Sequence, residues 1–210
     1  MPGRVLPCGE RALLIELDTL PEVVAVASAV REWPEVIDVI PAAQTVLIVV
    51  EHPSGLPALR RAVAALMARD LHSAQSAPES RRITIAVHYD GPDLDEVATL
   101  TGLSRAEVIE AHIGTDWTAA FGGFAPGFCY LSGGDPRLEV PRREQPRTSV
   151  PAGAVGLAGP FTGVYPRSSP GGWQLIGRTA EVLWDLTRTP PALIAPGDTV
   201  RFVAVDRPGQ

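Results

Sequence analysis

The hydrophobic pattern changes period once along this chain, and that change limits the folds open to it. Before about residue 70, strand-length apolar runs alternate with helical stripes. Residues 71–82 (LHSAQSAPESRR) lose all periodicity and gather serine, alanine, proline and charge, the composition of a linker. From Trp117 onward no helical period survives. Short apolar runs recur there at 128–131, 154–157, 173–176, 181–184 and 199–205, with glycine and proline in the gaps, the pattern of a compact β-barrel or sandwich.

In the first part, residues 12–17 (ALLIEL) have strand length, and Pro21 stands where the first turn of a helix tolerates proline. Val23, Val26, Ala27 and Val30 then form one helical stripe, which Trp33-Pro34 ends. Residues 36–40 and 45–50 read as strands, and Leu59, Ala62, Val63, Leu66 and Met67 as a second amphipathic helix. The order β-α-β-β-α suggests a ferredoxin-like layer of helices on a sheet. After the linker, residues 83–89 alternate as a strand, and two short helices follow at 94–101 and 104–112. Ser104 and Glu107 have capping-box spacing at the start of the second. The chain is thus expected to be α+β, with domains at 1–80 and 81–210.

Several functions are excluded on chemical grounds. All 18 basic residues are arginine. Without a lysine amine there is no Schiff base, no biotinyl carrier and no Walker A loop. A net charge of −6 gives no basic footprint for nucleic acid, and the second helix of the helical hairpin sets Arg105 against Glu107 and Glu110. No run approaches the roughly 18 apolar residues of a membrane span, and no signal peptide is evident, so a cytoplasmic location is expected. Cys8 and Cys129 are far apart, and His52, His72, His88 and His112 are scattered, so no metal site is expected.

Three clusters could carry chemistry. In 122–131 (GGFAPGFCYL), glycines permit close backbone approach while Phe124, Phe128 and Tyr130 supply flat faces around Gly127. In 142–153, Arg147 follows the Arg142-Arg143 pair; a guanidinium can grip a carboxylate or phosphate through two parallel hydrogen bonds. The densest cluster joins Tyr165 to Gly171, Gly172, Trp173, Arg178 and Thr179, a pattern for a hairpin that lines a ligand. Cys129, between Phe128 and Tyr130, reads as a small buried hydrophobe rather than a nucleophile.

Taken together, GFAPGFCYL, DPRLEVPRREQPRTSVPAGAVGLAG and TGVYPRSSPGGWQLIGRT resemble the 5-oxoprolinase B-subunit family, with HYDGPDLDEVA and PGDTVRFV extending the match. That family is also labelled allophanate hydrolase subunit 1 and includes the KipI-type inhibitors of sensor histidine kinases. The resemblance implies a ferredoxin-like N-terminal domain and a cyclophilin-like β-barrel. It implies a paired carboxyltransferase-like subunit, a LamB/YcsF-type subunit, and ATP-dependent opening of the lactam 5-oxoproline to glutamate. ATP, with magnesium, would be bound through no motif in this chain. The alternative is a kinase inhibitor without chemistry of its own. On the enzyme reading, Arg147 and Arg178 contact anionic groups in one shared cavity and His112 serves proton transfer. Phe124, Gly127, Tyr130, Tyr165, Gly171, Gly172, Trp173 and Thr179 shape the substrate pocket.

Overall fold

The computed structural model describes residues 3–68 and 80–206. Two compact units emerge, Met1–Ala77 and Pro78–Gln210. Most of the expected linker lies outside the described residues.

In the first unit, strands β1 (Arg4–Cys8), β2 (Ala12–Glu16), β3 (Val36–Pro41) and β4 (Thr45–Val50) form an antiparallel sheet in the order β1-β2-β4-β3. Helix α1 (Leu20–Arg31) starts at a Thr19–Glu22 capping box with proline in its first turn, and buries Val23, Val26, Ala27 and Val30. Helix α2 (Leu56–Met67) buries Leu59 and Val63. These side chains meet Leu13, Ile15, Val46, Ile48 and Val50, alternate residues of the central strands, in one core. Strand β1 is an addition to the expected order. It pairs only with β2, so its Pro7 sits on an edge strand, where a missing N–H is tolerated.

The second unit is built on a seven-stranded sheet. Its strands are β5 (Arg82–Val87), β6 (Trp117–Gly122), β7 (Cys129–Ser132), β9 (Ala154–Ala158), β10 (Phe161–Val164), β12 (Gln174–Arg178) and β13 (Thr199–Ala204). They run in the order β12-β9-β10-β7-β6-β13-β5, antiparallel except for the β13–β5 pair. The two edges meet: His88 N donates to Arg178 O at 2.8 Å and Arg178 N donates to His88 O at 2.9 Å. This contact nearly closes the sheet into a barrel. A separate ribbon pairs β8 (Arg147–Val150) with β11 (Ser169–Gly171).

Helices α3 (Leu94–Thr101) and α4 (Arg105–Gly114) contribute Leu94, Val97, Val108 and Ala111 to the barrel core. The helical hairpin is therefore packed through its apolar side onto the sheet. Gly102 ends α3 in the left-handed region, and the Ser104–Glu107 capping box starts α4. Residues 181–184 depart from the expected β pattern. They form no strand, and Trp184 makes only an isolated bridge to Ala192. Among the described residues no helix is long and apolar enough to cross a membrane.

Candidate functional site

The β6–β7 hairpin and the segments flanking β10 and β12 bring most of the expected aromatic residues together. Phe128 is the hub. Its ring centroid lies 5.1 Å from Tyr130, 5.5 Å from Tyr165, 5.3 Å from Trp173 and 5.3 Å from Phe124, all edge to face. Close approach of backbone makes this possible. A Cβ on Gly163 would stand 2.9 Å from Phe128 and 3.2 Å from Trp173, and one on Gly171 would stand 2.5 Å from the Tyr165 oxygen. Larger residues at either position would push the rings apart.

Phe124 differs from the rest of the cluster. It is 57% exposed, and its φ of +67° makes it the one non-glycine residue with positive φ among the described residues. An exposed aromatic held in that region costs on the order of 1–3 kcal/mol, and such strain collects at ligand-binding loops. Its ring rests on Phe128 and Tyr165 at the open edge of the cluster. Gly127, at φ +82°, lies directly under Leu183 and Trp184, so the hairpin tip packs on the 181–184 loop.

Positive charge flanks these rings. Asp93, 3% exposed, stands at the N-cap of α3 but does not cap it. Its Oδ1 accepts from Arg143 Nη1 at 2.6 Å and from Arg147 Nη2 at 2.7 Å, while Oδ2 accepts from the Leu175 backbone N–H at 2.7 Å. Arg147 is in register with Gly171 across the β8–β11 ribbon, and Arg143 N donates to Gly172 O at 2.8 Å. Gly172 itself lies against Pro146. Burial pushes the Tyr165 phenol up from its ordinary pKa, against the downward pull of the Trp173 backbone, Arg142 and Arg147. Aromatic wall and arginines are thus electrostatic neighbours.

The remaining expected site residues lie elsewhere. Arg178 is 56% exposed and pairs with Asp90 at 2.7 Å, so Arg147 and Arg178 are held by different carboxylates. Thr179 is buried directly after β12: its N–H donates to Gly153 O at 2.8 Å and its hydroxyl accepts from Glu181 N at 3.2 Å. His112 is fully buried in the barrel core, between Trp117 and Phe202. Thr162 donates its hydroxyl proton to Gly156 O, so it accepts from His112 Nε2–H at 2.8 Å. Nδ1 then accepts from the Tyr89 hydroxyl at 2.7 Å. Both ring nitrogens are spent, and burial pushes the imidazole down to about 3. It is a neutral core side chain with no atom left to pass a proton to a substrate. Cys129 donates to Phe121 O, and burial pushes its thiol up to about 12, which removes it as a nucleophile.

Two clefts open on other parts of this unit. Trp117, Gly134, Asp135 and Phe161 border one, and Glu107, Glu110, Thr115 and Arg137 the other. Neither includes Arg147 or Arg178. Among the described residues no group of three or more histidine, cysteine or acidic side chains could hold a metal ion. Sequence reasoning places Arg143 in the same cluster as Arg147 without giving it a role, and misses Asp93. The one signal there is an aspartate inside the GPDLDEVA stretch, which reads locally as a helix cap.

A nearly closed barrel carrying a ring-lined, arginine-flanked edge is the setting for comparison with known proteins. Residues 3–194 match the family described as "Carboxyltransferase domain, subdomain C and D". A protein of Escherichia coli O157:H7 named as the B subunit of 5-oxoprolinase is 42% identical over 207 residues, 93% of each chain. The crystal structure of TTHA0988 superposes at a TM-score of 0.73 with 33% identity over 95% of this chain, which spans only 41% of that longer one. The Kluyveromyces lactis urea amidolyase shares the fold at a TM-score of 0.73 and 19% identity, with this chain spanning 15% of its length. The chain belongs to the 5-oxoprolinase B-subunit family, within the carboxyltransferase subdomain C and D group.

Proposed function

We propose that this protein is the B-type subunit of an ATP-dependent 5-oxoprolinase complex that opens 5-oxoproline to glutamate. The observation that carries this reading is the 42% identity to a 5-oxoprolinase B subunit along 93% of both chains. Its partners would be a carboxyltransferase-like subunit and a LamB/YcsF-type subunit. The N-terminal unit is read as a ferredoxin-like layer whose first strand, β1, holds the outer edge beside β2. The C-terminal unit is read as a cyclophilin-like barrel.

The chemistry suits a site without a nucleophile. A five-membered lactam is resonance-stabilised and resists water. Phosphorylation of its carbonyl oxygen by ATP makes the carbon electrophilic. Water then adds, the C–N bond breaks with a proton passing to nitrogen, and a second water releases phosphate. The tasks left to this chain are to hold an anionic substrate and to exclude bulk water. Arg147, with the wall formed by Phe124, Tyr130, Tyr165 and Trp173, is suited to both. The magnesium that accompanies ATP is assigned to no side chain here.

The test is reconstitution with the two partner subunits, following ATP-dependent glutamate release while each component is omitted in turn. Release that needs all three proteins is expected. Release unaffected by omission of this chain, or no release from the assembled complex, would overturn the reading.

A further inference from the structure

We infer that Arg143 and Arg147, clamped on Asp93, form an oxyanion receptor that takes the carboxylate of the small acid substrate. The identity of that ligand rests on the 5-oxoprolinase reading; the existence of the receptor does not.

Two guanidiniums share the single carboxylate of Asp93, so the cluster keeps one positive charge in excess. Among the described residues no second carboxylate pairs with either arginine. Arg143 and Arg147 keep 33% and 23% of their side-chain surface exposed, so the excess charge is partly screened and stands open to an anion arriving from that side.

Hydrogen-bond capacity gives a second, independent indication. Arg143 Nε and Arg147 Nη1 are buried and have no partner in the protein. Ser169 Oγ on β11 is likewise buried without a partner, whereas Gln174 Oε1 on β12, also unpaired, is an acceptor and offers an oxyanion nothing. A buried donor without a partner costs about 1–3 kcal/mol, so two guanidinium donors left open beside one aspartate are not expected from packing alone. Asp93 does not supply the missing bonds: its Oδ1 accepts from both arginines through their other nitrogens, its Oδ2 accepts from Leu175 N, and neither oxygen bonds Arg143 Nε or Arg147 Nη1.

Geometry supplies the third. The aspartate fixes each guanidinium through one terminal nitrogen, which leaves the other N–H groups of each fork oriented but unspent. Gly171, opposite Arg147, lies against the Tyr165 phenol, and Gly172 is bonded to Arg143 and followed by Trp173. An oxyanion at the arginines would therefore place the rest of a small ligand beside aromatic faces. A five-membered ring bearing one carboxylate has that shape and polarity.

The test is isothermal titration of the full chain, alone and mixed with its partner subunits. The probes are 5-oxoproline, its carboxamide analogue and inorganic phosphate. We expect 5-oxoproline to bind and the carboxamide to bind at least about tenfold more weakly, the scale of one charge-assisted contact. Arg143→Gln and Arg147→Gln should each weaken binding by a similar factor, and Arg147→Lys should not restore it, because a lysine lacks the planar fork. Thermal melting confirms that each variant is folded, and the carboxamide comparison needs no variant at all. Binding of phosphate that the glutamine variants lose, without binding of 5-oxoproline, would keep the receptor and change its ligand to a phosphoryl group. Equal affinity for 5-oxoproline and its carboxamide, or no binding of any probe in either setting, would overturn the inference. The two proposals fail separately. Oxyanion binding by an inactive complex would sink only the enzyme reading, whereas turnover that survives both arginine substitutions would sink only the receptor.

Discussion

The barrel unit holds two buried polar clusters that look alike in composition and differ in completeness. Around His112, every described polar atom has a partner: Tyr89, Thr162 and Gly156 form a closed chain of neutral hydrogen bonds. Around Asp93, both aspartate oxygens are engaged, while its two arginines keep buried donors unspent and one charge uncompensated. A finished network fixes a fold. An unfinished one, next to rings and exposed at one side, is fitted to a ligand. The contrast separates a histidine whose residue type suggests catalysis from arginines whose surroundings suggest binding.

The largest effect should come from removing the shared carboxylate. Asp93→Ala leaves two half-buried guanidiniums unpaired and frees the Leu175 N–H. Chemical denaturation is expected to show a loss of about 2–3 kcal/mol, below the scale for a fully buried pair because the guanidiniums left behind are partly exposed. A loss below about 1 kcal/mol would show the cluster to be solvated and the comparison mistaken.

The histidine cluster should report itself through pH. Its folded-state pKa is lowered from 6.5 to about 3. Between those values the unfolded chain binds a proton that the folded chain refuses. Stability is therefore complete above about pH 6.5 and falls as pH drops, by up to about 1.4 kcal/mol per unit from this one group. His112→Leu should flatten that part of the stability–pH curve while lowering stability at neutral pH, since Tyr89 and Thr162 lose their partner. An unchanged acid slope in the variant would mean that His112 is already charged in the folded protein.

These two clusters also mark how far the sequence could be read. Helices α1 and α2 were legible because their apolar residues repeat at helical spacing, and Val23, Val26, Ala27 and Val30 are the residues buried. Strand β1 was not, because Pro7 interrupts a five-residue run whose only support is a partner strand. In the barrel, β9 is buried on both faces, so its strand character showed as a short continuous run rather than as alternation. The 181–184 run looked the same and is a loop, because an apolar run does not say whether a neighbour will pair with it. The aromatic wall could be anticipated from Phe124, Phe128, Tyr130, Tyr165 and Trp173 beside glycines. The Asp93 cluster could not: its bonds span 50, 54 and 82 residues, and no local pattern encodes them. For the same reason Arg147 and Arg178 looked equivalent in sequence, yet one is locked beside the aromatic wall and the other is paired with Asp90 at the surface.

That last difference gives the most direct measurement of the central claim, that the substrate's charge is read at the Asp93 cluster. In the reconstituted complex, the KM for 5-oxoproline should be compared for Arg147→Gln and Arg178→Ala. The account predicts a rise of about tenfold or more for Arg147→Gln, and a near-native value for Arg178→Ala, whose exposed ion pair contributes at most about 1 kcal/mol to stability. A KM that rises for Arg178→Ala and stays native for Arg147→Gln would contradict it.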